Sequence, residues 1–417
     1  MKTLFLSTSD INGGAARATH WLAKGLKSIG QDVSTLVQKK SGDASWATEV
    51  ANRQVEKYID LVRPQLDNLP LLFFPNRTKT PWSLNWMPNS KLTSHILKIQ
   101  PDIVNFHWVG NGFLPISDLN QIKSPIVWSL YDMWAFSGGC HYDDSCGRFV
   151  DACGHCPQLA STNSDISSYI HRKKIKSWAE VPLTIVAPSL WLANEAKRSS
   201  LFRNSRVEVI PHGTDLNIFK PIDKNLAKDI LCLDKNKRYV LFGSTGGTSD
   251  KRKGYQFLEP ALKMLALKPG FEDLELLIFG ASEPVNPPEL GFPIHYLGRL
   301  SDDTSLAVLY SAADVTVTPS MQEAFGMTAS ESMACGTPVV AFGASGPLDV
   351  ITHKVDGYLA QPYEVEDFAN GISWILDHIQ SKGLSFEARL KCQRQFDLLN
   401  VANQYRSLYE DLLNNHK

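Results

Sequence analysis

The feature that most restricts this chain is an alternation that occurs twice: short β-branched apolar runs separated by longer stretches with helical spacing. Near the N-terminus, Thr3 to Ser7 reads as a buried strand, Gly13-Gly14 as a turn, Ala15 to about Ile29 as a helix and Val33 to Val37 as the next strand. Apolar runs at Ile103 to Phe106, Ile126 to Leu130 and Leu183 to Ala187 extend the series. Strands that are apolar throughout suit a parallel sheet covered by helices on both faces. From Tyr239 the series restarts, with strands Val240 to Phe242, Leu274 to Phe279, Val315 to Thr318 and Pro338 to Phe342. Helices are predicted at Tyr255 to Leu267, around Ser305 to Ala312, at Met327 to Cys335 and at Val365 to Leu376. The expected class is α/β, with two Rossmann-like doubly wound parallel sheets.

A chain of 417 residues exceeds what one core usually organises, and the turn chemistry from Pro211-His212-Gly213 to Pro221 marks a joint. The predicted layout is a first domain over 1–212, a second over 213–398 and a terminal stretch over 399–417. Residues 42–100 interrupt the first series; Leu71-Leu72-Phe73-Phe74, Trp82 and Trp86 among prolines predict an elaborated loop region with short helices of its own. Open α/β sheets bind ligands beyond the carboxyl ends of their strands, so function is expected in a central cleft that those ends face.

Charge excludes more than it selects. Lys and Arg total 42 against 43 Asp and Glu, a net charge of -1, which argues against nucleic acid as a partner. The apolar run in MKTLFLSTSD is too short for a signal-peptide core, and no run approaches the roughly 20 apolar residues of a membrane span. A soluble cytoplasmic chain is expected, with any membrane contact peripheral. The basic run His171-Arg172-Lys173-Lys174-Ile175-Lys176 and the aromatic insertion at 71–86 are candidates for touching an anionic bilayer, or else form a solvated helix face and a self-packed loop.

The chemistry concentrates in a few stretches. Pro319 to Thr328 reads as a strand end, a glycine turn and a helix start, whose amides and dipole suit a diphosphate. Glu323 precedes that helix and Glu331 lies about two turns on, so the two address different parts of one ligand, or are plain solvated charges. Lys251-Arg252-Lys253-Gly254 follows a strand and glycines 243, 246 and 247; its cations can stabilise charge developing on a diphosphate leaving group, or form a surface loop. Asn12-Gly13-Gly14-Ala15-Ala16-Arg17 brings backbone towards a donor phosphate or an acceptor, or is a structural turn. His107, Tyr131 and Asp132 sit at predicted strand ends facing the cleft, although a lone histidine such as His107 is also commonly a satisfied core group. Cys140, Cys146, Cys153 and Cys156, with His141 and His155 interleaved, have the crowding and terminal Cys-x2-Cys spacing of a structural zinc site; disulfides or free buried thiols are the alternatives.

The pair Glu323-x7-Glu331 within EAFGMTASESMACGTPVVAF resembles glycosyltransferase family 4, a retaining family with the GT-B fold. The resemblance implies that Glu323 contacts the donor sugar, that Glu331 holds the ribose hydroxyls, and that amides from Phe325, Gly326, Met327 and Thr328 bind the phosphates. Lys253 matches the family lysine of a Lys-Gly pair, while Thr248 stands where an arginine is usual and Arg252 is a candidate substitute. Within the family, Ser129 to Trp134, the Gly-Gly-Cys-His-Tyr run at 138–142 and GPLDVITHKVDGYLAQPYEVEDFANGISWIL are similar to the colanic acid and exopolysaccharide subgroup. Tyr131 replaces that subgroup's histidine, which matters because tyrosine, with a pKa near 10, does not shuttle protons near neutral pH.

The resemblance implies hexosyl transfer with retention, without a catalytic metal, from a UDP- or GDP-linked sugar to a glycan or lipid-linked glycan acceptor. The first domain would bind the acceptor and the second the donor, with Gly13, Gly14, Arg17 and Arg252 assisting and His107, Tyr131 and Asp132 beside the reacting sugar. By analogy with the fold, the last helix, from about Val401 to Asn415, would cross back onto the first domain. Alternatives are a sugar-nucleotide epimerase or glycan phosphorylase, or a non-catalytic sugar-binding or scaffold subunit, the last prompted by Tyr131 and Thr248.

Overall fold

The computed structural model describes residues 1–243, 250–300, 302–379 and 381–415. It divides into two compact units, one comprising Met1–Gly213 with the stretch from Leu399 onward, the other Thr214–Leu398.

In the first unit the strands are β1 (Lys2–Ser9), β2 (Asp32–Lys39), β3 (Ala47–Glu49), β4 (Ile103–Phe106), β5 (Ile126–Ser129), β6 (Leu183–Ala187) and β7 (Arg206–Val209). Among the described residues they form one parallel sheet in the order β3-β2-β1-β4-β5-β6-β7. Leu4 pairs with Ser34 on one side and Val104 on the other, so the order reverses at β1 and β4. Every residue of β4, β5 and β6 is buried, as helices on both faces require. The helices of this unit include α1 (Gly14–Ser28), α2 (Gln54–Asp67), α3 (Ser90–Ile99), α4 (Ile166–Trp178) and α5 (Leu190–Arg198).

The C-terminal helix, Leu398–Asn415, is built into this unit's core. Val401, Ala402, Tyr405, Leu408 and Tyr409 pack with Phe5, Leu22, Ile103, Val127 and Val186. Two of its buried hydroxyls also satisfy polar strand side chains. Asn105 Nδ2 donates to the Tyr409 hydroxyl at 2.7 Å, and Ser129 Oγ lies 2.9 Å from the Tyr405 hydroxyl.

The second unit holds β8 (Arg238–Gly243), β9 (Leu274–Phe279), β10 (Ile294–Tyr296), β11 (Val315–Thr318), β12 (Val339–Phe342) and β13 (Gly357–Ala360). They pair in parallel in the order β10-β9-β8-β11-β12-β13. Its helices are α6 (Lys224–Ile230), α7 (Tyr255–Ala266), α8 (Asp303–Ala312), α9 (Met327–Ala334), α10 (Pro347–Val350), α11 (Val365–His378) and α12 (Leu384–Lys391). The order reverses at β8 and β11, which brings the loops after those two strands side by side.

The strands that apolar runs did not mark, β3, β7, β10 and β13, are the four sheet edges. An edge strand has a neighbour on one side only and need not be apolar; β7 reads Arg-Val-Glu-Val with no buried residue.

Tyr409→Phe removes the acceptor of the fully buried Asn105 amide, and an unsatisfied buried donor costs about 1–3 kcal/mol. A corresponding fall in the urea midpoint of the full chain is expected; an unchanged midpoint would count against the assigned role of this hydroxyl.

Candidate functional site

In the second unit, the loop after β8 and the loop after β11 are stitched together. Met321 N donates to Arg252 O at 2.7 Å, and Arg252 Nη1 donates to Gln322 O at 2.9 Å. The approach is so close that a Cβ on Gly254 would lie 1.8 Å from Pro319 O, and its φ of +77° is also one that side chains disfavour. That is the physical content of the Lys-Gly pair: the glycine admits the facing loop, and the lysine then meets it. Lys253 Nζ donates to Glu323 Oε2 at 2.7 Å, with Arg252 Nη1 3.6 Å from the same oxygen. Burial works to raise the Glu323 carboxyl, but the Lys253 and Arg252 charges, with hydrogen bonds from Lys253 and Ser320, outweigh it and hold it below the usual range. Glu323 is thus a fixed anion paired with fixed cations. A third loop locks it: Ser345 Oγ accepts from Glu323 N at 3.0 Å, and Gly346 N donates to Glu323 O at 2.8 Å. Gly246, Gly247 and Thr248 lie outside the described residues.

Gly326 caps α9, and Met327 and Thr328 open it, so their amides have no acceptor inside the helix. Phe325 anchors the turn from below, buried and edge-on to Phe396 at 5.3 Å. Glu331 lies on the buried side of α9, and Tyr310 of α8 donates its hydroxyl to Glu331 Oε2 at 2.8 Å. Tyr310 and Ser345 were not anticipated from sequence, since neither stands in a recognisable motif beside the residue it serves.

In the first unit, His107 follows β4 and Tyr131 follows β5, and the fold joins them. His107 Nδ1 is 3.0 Å from the Tyr131 hydroxyl, Thr19 Oγ1 of α1 is 3.1 Å from it, and the Tyr131 ring stacks on His212 at 4.8 Å. His107 packs on Phe5 with ring centroids 4.3 Å apart, and burial, with His212 nearby, pushes its pKa down to about 3. Burial raises the Tyr131 phenol. Both groups are therefore neutral hydrogen-bonding partners near neutral pH. Gly13 and Gly14 are exposed at the start of α1, while the Arg17 guanidinium lies over the Trp21 ring at 4.8 Å.

Asp132 is turned away from solvent and acts as a hub. Its Oδ2 receives Trp108 Nε1 at 2.8 Å and lies 2.6 Å from His141 Nδ1, and its Oδ1 accepts from Trp134 N at 2.8 Å. Burial opposes its ionisation, but the His141 charge and these hydrogen bonds hold its carboxyl below the usual range. His141 Nε2 in turn meets Ser83 Oγ at 2.9 Å. Asp132 thus positions the loop that carries Tyr131.

The expected zinc site is not built. Among the described residues no group of three or more His, Cys, Asp or Glu is placed to hold a metal ion, and Cys140, Cys146, Cys153 and Cys156 are free thiols. Both interleaved histidines are engaged elsewhere, His141 with Asp132 and Ser83, His155 with Thr162 O. Burial raises all four thiols, Cys153 to about 12. Each thiol has a polar neighbour of its own, Ser137 for Cys140, the Arg148 amide for Cys146, that of Gly138 for Cys153 and those of Gln158 and Leu159 for Cys156, and the four also lie near enough to feel one another electrostatically.

The basic run 171–176 is a solvated face only in part, with Arg172 and Lys176 exposed. His171 and Lys174, three apart on α4, are both fully buried. Lys174 Nζ donates to Trp134 O and Ser137 O and sits 3.8 Å from the Trp134 ring centroid. Burial lowers its pKa to about 7.

The profile of the family described as Glycosyltransferase Family 4 matches residues 12–218, and that of Glycosyl transferases group 1 matches residues 224–382. D-inositol 3-phosphate glycosyltransferase from Segniliparus rotundus is 32% identical over 182 residues, 41% of this chain and 39% of that protein. Its counterpart from Paenarthrobacter aurescens is 30% identical over 42% of this chain and 45% of that protein. The matched stretch thus spans less than half the length of these curated relatives. Among solved structures, sucrose-phosphate synthase from Thermosynechococcus elongatus gives a TM-score of 0.73 at 20% identity, covering 100% of both chains. Anabaena HepE in complex with UDP-glucose gives 0.64 at 18% identity, covering 99% of this chain and 100% of that one. The chain is thus of the group 1 and family 4 glycosyltransferase type, its two units built on the Rossmann-like parallel sheets of the GT-B fold.

Proposed function

We propose that this chain transfers a hexosyl group from a UDP- or GDP-linked sugar to a glycan or lipid-linked glycan in cytoplasmic polysaccharide assembly, with retention at the anomeric carbon and no metal bridging the diphosphate. The observation that carries this is the Lys253–Glu323 pair, locked by Gly254 beside the open amides of α9. Breaking the bond from the anomeric carbon to phosphate leaves negative charge on the nucleoside diphosphate. Lys253 and Arg252, with the amides from Phe325 to Thr328, are the preorganised positive groups that stabilise it. An ammonium has three donors, so Lys253 can hold Glu323 and a phosphate oxygen together. Glu323 positions the sugar, and Glu331 takes the ribose hydroxyls. In front-face attack the acceptor oxygen bonds to the anomeric carbon on the side the phosphate leaves, and the departing phosphate oxygen takes the acceptor's proton.

In this scheme the second unit binds donor, and the first binds acceptor. Gly13, Gly14 and Arg17 line the donor phosphate, and the Tyr131–His107 pair orients a sugar hydroxyl without exchanging its proton. The HepE complexes, solved with UDP and with UDP-glucose, support the donor class, and the exopolysaccharide-like stretches support a glycan acceptor. A sugar-nucleotide-binding scaffold subunit is the second reading, favoured by the Tyr131 hydroxyl being engaged by His107 and Thr19.

Release of nucleoside diphosphate from a panel of UDP- and GDP-hexoses by the purified full chain is the direct test. Glu323→Gln and Lys253→Ala are each expected to lower turnover by about 10²–10³-fold at an unchanged melting temperature. Donor binding without turnover across the panel would favour the scaffold.

Because cations hold the Glu323 carboxyl down, activity that needs its ionised form should persist as pH falls through the ordinary carboxylate range and be lost only below it. Arg252→Ala removes one of those cations and should move the acid limb of kcat/KM to higher pH. A limb that stays in place would mean that Glu323 is not the titrating group.

A further inference from the structure

Helix α2 is inside out. Its positions 56, 60, 63 and 67 share one face, and that face, although wholly charged, is the one turned into the protein. Arg63 reaches Asp60 at 3.2 Å, Pro88 O at 3.2 Å and Gly112 O at 3.3 Å; Asp67 accepts from Leu84 N at 2.8 Å; Glu56 pairs with Lys91. Burying such a stripe is tolerable because its members find partners.

The opposite face carries Val55, Tyr58, Ile59, Val62 and Leu66 at i, i+3, i+4, i+7 and i+11, all exposed. The stripe continues into the 3-10 turn Leu69–Phe73, where Leu71 points inward while Leu72 and Phe73 are 74% and 86% exposed. Single exposed apolar residues are ordinary, but a continuous stripe of this kind marks an interaction surface.

Charge identifies the occupant. Between Asn52 and Thr80 the exposed charged side chains are Arg53, Lys57 and Lys79, all basic, Lys57 being paired with Glu49 and Arg53 lying 3.9 Å from Glu56. The acidic side chains of the segment, Glu56, Asp60 and Asp67, are the ones turned inward. A second copy docking through the same patch would set basic groups against basic groups with no exposed acid on the segment to answer them. An anionic bilayer answers both features, taking the apolar stripe into the acyl boundary and the cations among its headgroups. Among the described residues no helix is long and apolar enough to cross a membrane, so such contact is peripheral.

We infer that the α2 face, with Leu72 and Phe73 at its tip, docks the protein onto an anionic lipid bilayer. Docking rests on the transfer reading only for its purpose, access to a lipid-linked acceptor. Its test needs neither donor nor turnover, so the two fail separately.

The full chain is floated with vesicles of phosphatidylcholine alone and of phosphatidylcholine mixed with phosphatidylglycerol. Binding to the mixed vesicles, weakened by salt, is the expected result. Leu72→Glu with Phe73→Glu should reduce it by about tenfold or more while the melting temperature holds, because both side chains are exposed. Arg53→Ala and Lys79→Ala should each reduce it by about fivefold. No flotation with the mixed vesicles, equal flotation with both kinds, or a double variant that floats like the parent would each overturn the inference. So would a dimer in sedimentation that the double variant dissociates, since the face would then serve a second copy.

Discussion

Each sheet buries its central strands on both faces, and that constraint decides where polar groups can stand. Side chains along β4, β5, β6 and β12 are all buried, so most polar chemistry is displaced into the loops that leave the strands. Where a polar side chain does stand within a central strand, a partner must be supplied, and the C-terminal helix brings Tyr409 to Asn105 and Tyr405 to Ser129. In the second unit the same displacement concentrates charge at the reversal of strand order, where the loops after β8 and β11 meet and pair Lys253 with Glu323. The reversal supplies the neighbourhood, and Gly254 supplies the distance.

Legibility in the sequence obeys the same constraint. The central strands at 103–106, 183–187, 274–279 and 315–318 have the ends that their apolar runs predict, because burial on both faces writes itself into composition. The edge strands left no such mark. Helix α2 is the sharpest failure of periodicity: its apolar stripe has the spacing of a core-facing helix, yet the opposite stripe is buried. What decides the matter is long-range, since Arg63 and Asp67 are claimed by backbone groups of residues 84, 88 and 112. A local pattern cannot encode those partners.

At the candidate site, the motif-borne residues were legible and their supports were not. Glu323 and Lys253 sit in linear motifs, whereas Tyr310 and Ser345 reach Glu331 and Glu323 from elements adjacent only through the fold. The cysteine cluster shows the opposite case: its spacing suggests a tetrahedral cage, yet among the described residues no group of three or more ligands is placed to hold a metal ion. His141 and His155, both near the cysteines in sequence, are committed to Asp132 and to Thr162 O. Lys174, which a charge count assigns to solvent, instead holds two carbonyls of the loop between Trp134 and Ser137.

These commitments bear on position 131, where a tyrosine stands in place of the histidine expected from the sequence. The loop after β5 is fixed by Asp132, whose carboxylate gathers Trp108, Trp134 and His141, and by Lys174 further along. None of these anchors involves the side chain at 131, so a histidine or a tyrosine there inherits the same backbone position. A tyrosine raised by burial, bonded to a histidine lowered by burial, gives two neutral groups. Such a pair can orient a hydroxyl but does not carry charge near neutral pH. In the proposed transfer, where the departing phosphate takes the acceptor's proton, that position is asked only for geometry, which a neutral tyrosine can supply.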